Sequence, residues 1–379
     1  MKITHVSDLG SRQVENLLAK KMFDEIKLSD SIRKTNLELF GEDLSAHELV
    51  HRIVQDVRYN GNKALFYYTK IFDHVELTDK NFFVSEVEFQ KAENMVDPSV
   101  IESLKRAQEN IYCYHEEQKP KSWLTYRSYG SILGQSILPL SRVGIYVPGG
   151  TASYPSSVLM NAIPANVAGV KEIIMSVPTQ SGKINPYVLV AARMVGIKKV
   201  FKIGGAQAIA SMAYGTETIP RVDKITGPGN IFVTLAKKEV YGHTDIDMLA
   251  GPSEILIIAD DSADPVYVAA DMLSQAEHDP LASSILLTDD PRLAEKVSIE
   301  IKSQLDILPR REIAQASLDN NGHIIVTENI EQSIRLANIS APEHIELLTK
   351  DPFHILPKIK CAGAIFLGSY SPEPLGDYF

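Results

Sequence analysis

Gln275, His278, Glu343 and His344 are the residues of this chain whose types and spacing best suit chemistry. They come from two stretches, GPSEILIIADDSADPVYVAADMLSQAEHDP at 251–280 and SAPEHIE at 340–346. Gln275 and His278 stand three residues apart at the end of a helical pattern, on one face, and Asp279-Pro280 stops that helix. Such a pair can hold a metal. A single His near a helix C-terminus also serves as an electrostatic cap. Glu343 and His344 are neighbours, and in an extended stretch neighbouring side chains point to opposite faces. They reach one pocket only where the backbone bends, which Pro342 allows. A carboxylate beside an imidazole suits two distinct proton transfers. The plainer reading is a surface acid and a structural His at the start of a strand. Taken together the four residues form a kit for metal-assisted chemistry at a carbon–oxygen bond.

Two other patterns carry less. His47-Glu-Leu-Val-His51 matches the H-E-x-x-H zinc protease motif on a predicted helix. No Gly and His follow at the spacing of the extended motif, and Ile53, Val54 and Val57 make the helix ordinarily amphipathic, so the match reads as coincidence. Oxidation of an aldehyde through a thioester would need an activated Cys. Cys113 and Cys361 have no neighbouring base and read as structural.

The elements that must position these residues are strands alternating with helices. From Arg142 the strand patterns are 142–147, 172–177, 198–203, 254–259, 283–288, 323–327 and 363–368, with helical patterns between them. This alternation predicts mostly parallel sheets with helices on both faces. Residues 13–117 read mainly as helices, with a break at Asn60-Gly61. The segments 143–177 and 255–288 share one layout, which fits an internal duplication and equally any two βαβ units. Three loops, Tyr146-Val-Pro-Gly-Gly150, Gly204-Gly205-Ala-Gln207 and Thr226-Gly-Pro-Gly-Asn230, follow predicted strands. Their shared place at the carboxyl ends points to a ligand crevice for a nucleotide-type ligand, although G-x-G-x-x-G is absent.

Composition bounds the rest. The 379 residues exceed what one core serves, so two or more domains are expected. Net charge is −10 and no basic block occurs, which argues against nucleic acid and anionic membranes. No apolar run is long enough to span a bilayer. The first residues lack the pattern of a signal peptide, and two cysteines make no disulfide framework, so the expected location is cytoplasmic.

From about Val50 to Phe379 the chain resembles the histidinol dehydrogenase family, through DVRYNGNKAL, RVGIYVPGG, YPSSVLMNAIPANVAGV, IGGAQAIA, ITGPGN, AGPSEILIIAD, DMLSQAEHDP, SAPEHIE and PEPLGDYF. The resemblance implies two NAD-dependent oxidations at one site, taking L-histidinol through the aldehyde to L-histidine. It implies one Zn2+ per subunit, held by Gln275, His278 and Asp377, which with Ser253 and His344 also contact substrate. Glu343 and His344 become the acid–base pair, and Tyr146, Gln207 and Asn230 line the NAD site. A chain of this family continues past GDYF, with a further substrate-binding His and a region that supplies a fourth zinc ligand and a Glu across an intertwined homodimer. Residues 1–379 hold none of these, so the expectation is an incomplete site within them. The alternatives are a related zinc- and NAD-dependent dehydrogenase of another polar alcohol, or a catalytically incomplete chain that keeps the fold.

The expected architecture is α/β, with two Rossmann-like domains, one inserted in the other, plus a helical N-terminal segment. Residues 1–124 and 243–379 would form a discontinuous domain carrying the zinc and acid–base residues. Residues 125–242 would form the inserted NAD-binding domain.

Overall fold

The computed structural model describes the chain except residues 2, 10, 20–27, 29, 150–153, 180, 181, 250 and 379. Strand β1 (Ile3–His5) and helix α1 (Ser11–Leu18) open the chain. Four helices follow: α2 (Asp30–Phe40), α3 (Ala46–Phe72), α4 (Glu86–Met95) and α5 (Pro98–Gln118). A hairpin of β2 (Trp123–Tyr126) and β3 (Ile132–Gln135) leads to β4 (Arg142–Tyr146), α6 (Pro155–Ala168), β5 (Glu172–Ser176), α7 (Pro186–Met194) and β6 (Lys199–Phe201). Next come α8 (Gly205–Tyr214), β7 (Lys224–Thr226), α9 (Ile231–Val240) and β8 (Asp245–Ile246). The last part holds β9 (Glu254–Ala259), α10 (Pro265–Ala276), β10 (Ser283–Thr288), α11 (Pro291–Leu305), α12 (Arg311–Asn321) and β11 (Gly322–Val326). It ends with α13 (Ile330–Ser340), β12 (His344–Leu348), α14 (Pro352–Ile355) and β13 (Ala364–Leu367).

The described residues fall into two compact units. One spans 1–22 and 251–376, the other 23–250 and 377–379. The first unit carries a six-stranded sheet in the order β1-β11-β10-β9-β12-β13, parallel throughout. The second carries a five-stranded parallel sheet in the order β6-β5-β4-β7-β8, and the antiparallel β2–β3 hairpin. Number the strands β9 to β13 and β4 to β8 from one to five. Both sheets then run 3-2-1-4-5, the order a duplicated α/β unit would give.

Local chemistry explains where helices start. Asp97-Pro98, Asn185-Pro186, Asp264-Pro265 and Asp290-Pro291 pair a capping oxygen with a proline at the first helical position. Asp264 Oδ1, for example, accepts from the Val266 N–H at 2.8 Å. Helix α3 is continuous in name but kinks at Gly61, where φ is 50° and ψ −131°. The break expected at Asn60-Gly61 is therefore a kink within one helix.

The unit boundaries differ from the expected 124/125 and 242/243. Leu49, Ile53, Val57 and Leu65 of α3 share one core with Ile209 and Met212 of α8 and Val233 and Ala236 of α9. Phe89 of α4 and Leu104 and Ile111 of α5 share another with Val158, Ile163 and Leu189 of α6 and α7. The amphipathic stripes of α3 to α5 are thus buried on the second sheet's helices. Helices α2 to α5 go with residues 125–242, whereas α1 stays with the first unit, and β8 extends the second sheet past 242. One unit still interrupts the other in sequence.

Gly61 generates a test. A Cβ there would lie 2.4 Å from Glu217 Oε2, which accepts from the Asn62 N–H at 2.7 Å, and the positive φ strains any L side chain. Gly61→Ala should destabilise the second unit by at least about 1 kcal/mol, read as a lower urea midpoint. Adding Glu217→Ala should recover the steric share only. A Gly61→Ala variant as stable as the parent would refute the kink.

Candidate functional site

In the second unit the chain reverses its direction of sheet growth between β4 and β7, and a crevice opens there at the carboxyl ends. A cavity of ≈ 410 Å³ is lined by Tyr146, Pro148 and Gly149 after β4, Gly205 and Gln207 of α8, and Gly229 and Asn230 before α9. The three residues expected to line a dinucleotide site, Tyr146, Gln207 and Asn230, meet in it. Tyr146 is buried, and its hydroxyl accepts from the Gly205 N–H at 3.2 Å. Burial raises its phenol well above the usual range. Asn230 Oδ1 caps α9, accepting from the N–H groups of Phe232 and Val233 at 3.1 and 3.2 Å. Gly150 of the expected loop lies outside the described residues.

The loop before α9 is held by a buried cation. Lys237 is 3% exposed, pairs with Asp247 and donates to Gly227 O at 2.9 Å. Asp247 Oδ2 accepts from the Gly227 N–H at 2.7 Å. Gly227 has φ 110°, and a Cβ there would fall 2.0 Å from Tyr146 O, so only glycine lets the two loops approach. Asp73, which sequence reading passed over, also lines the cavity. It accepts from Gln207 Nε2 at 3.5 Å, and burial pushes its carboxyl up to about 6.

The first unit places its candidates at the amino ends of the strands, the edge opposite to that of a Rossmann crevice. Ser253 precedes β9, Glu254 opens it and His344 opens β12, with His344 in register with Ile255. Helix α10 runs back toward the start of β10, so Gln275 near its end returns to that edge. Helix α13 ends on Ala341 with φ 47°, a left-handed residue directly before Pro342, and this is the bend that turns the chain into β12. Glu343 Oε2 accepts from the Glu254 N–H at 3.3 Å, and Glu254 Oε2 accepts from the Glu343 N–H at 3.4 Å. His344 Nδ1 lies 3.2 Å from Glu254 O. A carbonyl only accepts, so Nδ1 carries the hydrogen and Nε2 presents its lone pair. Nε2 lies 3.9 Å from Glu373 Oε1.

Period-two alternation puts Glu346 on the same face as His344, and it is fully buried. Its Oε1 accepts from the Glu373 N–H at 2.7 Å, while Oε2 has no partner of normal geometry. Burial, and then the Asp271 carboxylate of α10, push Glu346 up to about 9. Burial raises Asp271 too, to about 6. Glu346 is therefore a neutral acid near pH 7. Glu254, Asp271, Glu346 and Glu373 were not singled out from sequence. The one available signal was an ionisable residue at an inward position of HIELL.

For zinc the structure offers one clear mark. Gln275 is 2% exposed, and its Oε1 is buried without a hydrogen-bond partner, an oxygen left to a group outside the chain. His278 is exposed, and its carbonyl accepts from Arg310 Nη2 at 3.4 Å. Asp377 ends a short 3-10 turn, is exposed and groups with the second unit. Among the described residues no three His, Cys, Asp or Glu side chains gather as a metal site, so a zinc site would need the amide oxygen of Gln275. His51 of the H-E-x-x-H match pairs instead with Glu239, Nδ1 to Oε1 2.8 Å. Cys113 and Cys361 are exposed and free.

Glu346 makes stability depend on pH in a defined sense. Its folded value lies above that of the unfolded chain, so its contribution is intact at low pH. It is lost as pH rises through the window between about 4.5 and about 9, where only the unfolded chain releases the proton. Glu346→Gln keeps the shape and an acceptor but cannot ionise. Its melting temperature relative to the parent should rise by several degrees between about pH 5 and about pH 8. A difference that stays constant over that range would show that Glu346 is ionised or exposed.

Comparison with known proteins gives the family. The family model described as histidinol dehydrogenase matches residues 41–379. A histidinol dehydrogenase of Heliobacterium mobile is 54% identical over 339 residues, 89% of this chain and 79% of the relative. One from Bacillus thuringiensis subsp. konkukian is 51% identical over 356 residues, 94% of this chain and 82% of the relative. Among solved structures, a histidinol dehydrogenase from Elizabethkingia anophelis superposes with a TM-score of 0.88 at 38% identity, covering 100% of this chain and 82% of that one. With a family model over residues 41–379, relatives more than 50% identical and the same α/β fold, the chain belongs to the histidinol dehydrogenase family.

Proposed function

We propose that this oxidoreductase carries L-histidinol through L-histidinal to L-histidine, with NAD as oxidant and Zn2+ as anchor. The observation that carries the reading is the pair Glu343–His344, tied at one strand edge to Glu254 with the imidazole Nε2 lone pair free of the backbone. NAD would supply the hydride acceptor in both stages, and zinc would fix and polarise the substrate. Gln275, His278 and Asp377 would hold the metal, which the orphaned oxygen of Gln275 supports. Ser253 would contact the substrate. Tyr146, Gln207 and Asn230 would bind NAD, supported by their convergence on one cavity.

His344 would take the alcohol proton at Nε2 as the first hydride leaves. Glu343 would take a proton from water as its oxygen attacks the aldehyde carbon. His344, after releasing the first proton to solvent, would then remove the hydroxyl proton of the hydrate during the second hydride transfer. Neither Cys has a neighbouring base in the sequence, which fits water as the nucleophile. As the family resemblance implies, we place the activity in the cytoplasm and in a homodimer, with neither nucleic acid nor membrane as partner.

Separate assays on histidinol and histidinal test the division of labour. His344→Asn should lower kcat about 10²-fold or more on both substrates, as loss of a general base does. Glu343→Gln should slow histidinal oxidation by a similar factor and histidinol-to-aldehyde turnover far less. Equal losses in both stages for Glu343→Gln would remove the assignment of water activation.

A further inference from the structure

We propose that Glu373 is a positioning residue for His344, presenting a carboxylate to the imidazole Nε2 side and favouring the ring's protonated form. This rests on the reading of His344 as a base. Three observations place Glu373 there. Its Oε1 lies 3.9 Å from Nε2, with the two side chains only 18% and 21% exposed. Its N–H donates at 2.7 Å to Glu346, a fully buried residue on the inward face of β12. The Phe366 ring flanks His344, centroids 6.2 Å apart, and narrows the ring's freedom.

The burial of Glu346 then has a reason. A carboxyl inside a sheet core is costly unless something needs it. Here it gives the Glu373 N–H an acceptor that Leu or Val at this inward position would not. Held neutral, it does so without adding a second full negative charge behind the ring. The loop bearing Glu373 is tied to the same strand that bears His344, two residues further on. At 3.9 Å Glu373 is beyond a normal hydrogen bond but within range to stabilise imidazolium. When Nε2 takes a proton the ring becomes a cation held between the Glu254 carbonyl at Nδ1 and this carboxylate. The ionisable groups around His344 are Glu254 and Glu343 at the strand starts, Glu373 on its loop and Glu346 on its own strand, and Asp271 of α10 acts on Glu346 and Glu373.

The test is Glu373→Gln, which removes the charge and keeps the shape. The zinc-loaded enzyme is assayed with NAD and histidinol across pH. The acid limb of kcat/KM should move down by about one pH unit. The plateau kcat should fall about tenfold, because a weaker base remains. KM should change less than about twofold. In parallel, the pH dependence of diethyl pyrocarbonate labelling at His344, read by mass spectrometry without turnover, should report the same downward shift. If Gln is not tolerated, judged by circular dichroism, Glu373→Asp is titrated in its place, and the shortened side chain should give a smaller shift in the same direction. An unmoved His344 titration overturns the proposal, even if activity falls. Full activity in His344→Asn would instead sink the reading of His344 as base, and the labelling result would still decide what Glu373 does to the ring.

Discussion

The hydrogen bond between His344 Nδ1 and the Glu254 carbonyl is the contact on which the first unit's chemistry turns. It decides the imidazole tautomer, and so which nitrogen can accept a proton. It exists because β12 lies beside β9 in parallel register, His344 opposite Ile255. A register slip of one residue would turn His344 to the other face and bring Ile345 in its place. The reciprocal Glu254–Glu343 bonds depend on the same register.

The edge on which this happens is unusual for the fold. Open α/β sheets bind ligands outside the carboxyl ends of their strands. The second unit follows that rule, with its cavity at the β4/β7 reversal. The first unit has the same strand order but gathers Glu254, Glu343 and His344 at the amino ends of β9 and β12. There the chain arrives from helices. The left-handed turn at Ala341 and the return of α10 deliver side chains rather than the open backbone N–H groups of a helix N-terminus. Proton-handling residues suit the first kind of edge, and an anionic cofactor suits the second.

Charge distribution follows the same division. Around His344 the ionisable groups are carboxyls, and burial keeps one of them, Glu346, protonated. In the cavity of the second unit the lining acid is Asp73, itself pushed toward neutrality by burial. In both places desolvation raises the proton affinity of a carboxyl, a shift that belongs more often to sites than to scaffolds.

Much of this was legible from residue order alone. The strands β9 and β10 fall on the stretches 254–259 and 283–288 read from pattern, and helices lie between the strands as the alternation predicts. The motif order carried the family, and the two stretches at 251–280 and 340–346 supplied the candidate residues. Such signals are local, because a cap or a period is complete within a few residues. The tertiary structure decided what no local signal holds. It assigned α3 to α5 to the second unit, because an apolar stripe shows that a helix is buried but not on what. It also brought Glu254 and Glu373 to His344, and Asp271 to Glu346 on the same strand. Bonds such as those spanning 89 and 90 residues are set by strand register, a property of the folded sheet and of no segment by itself.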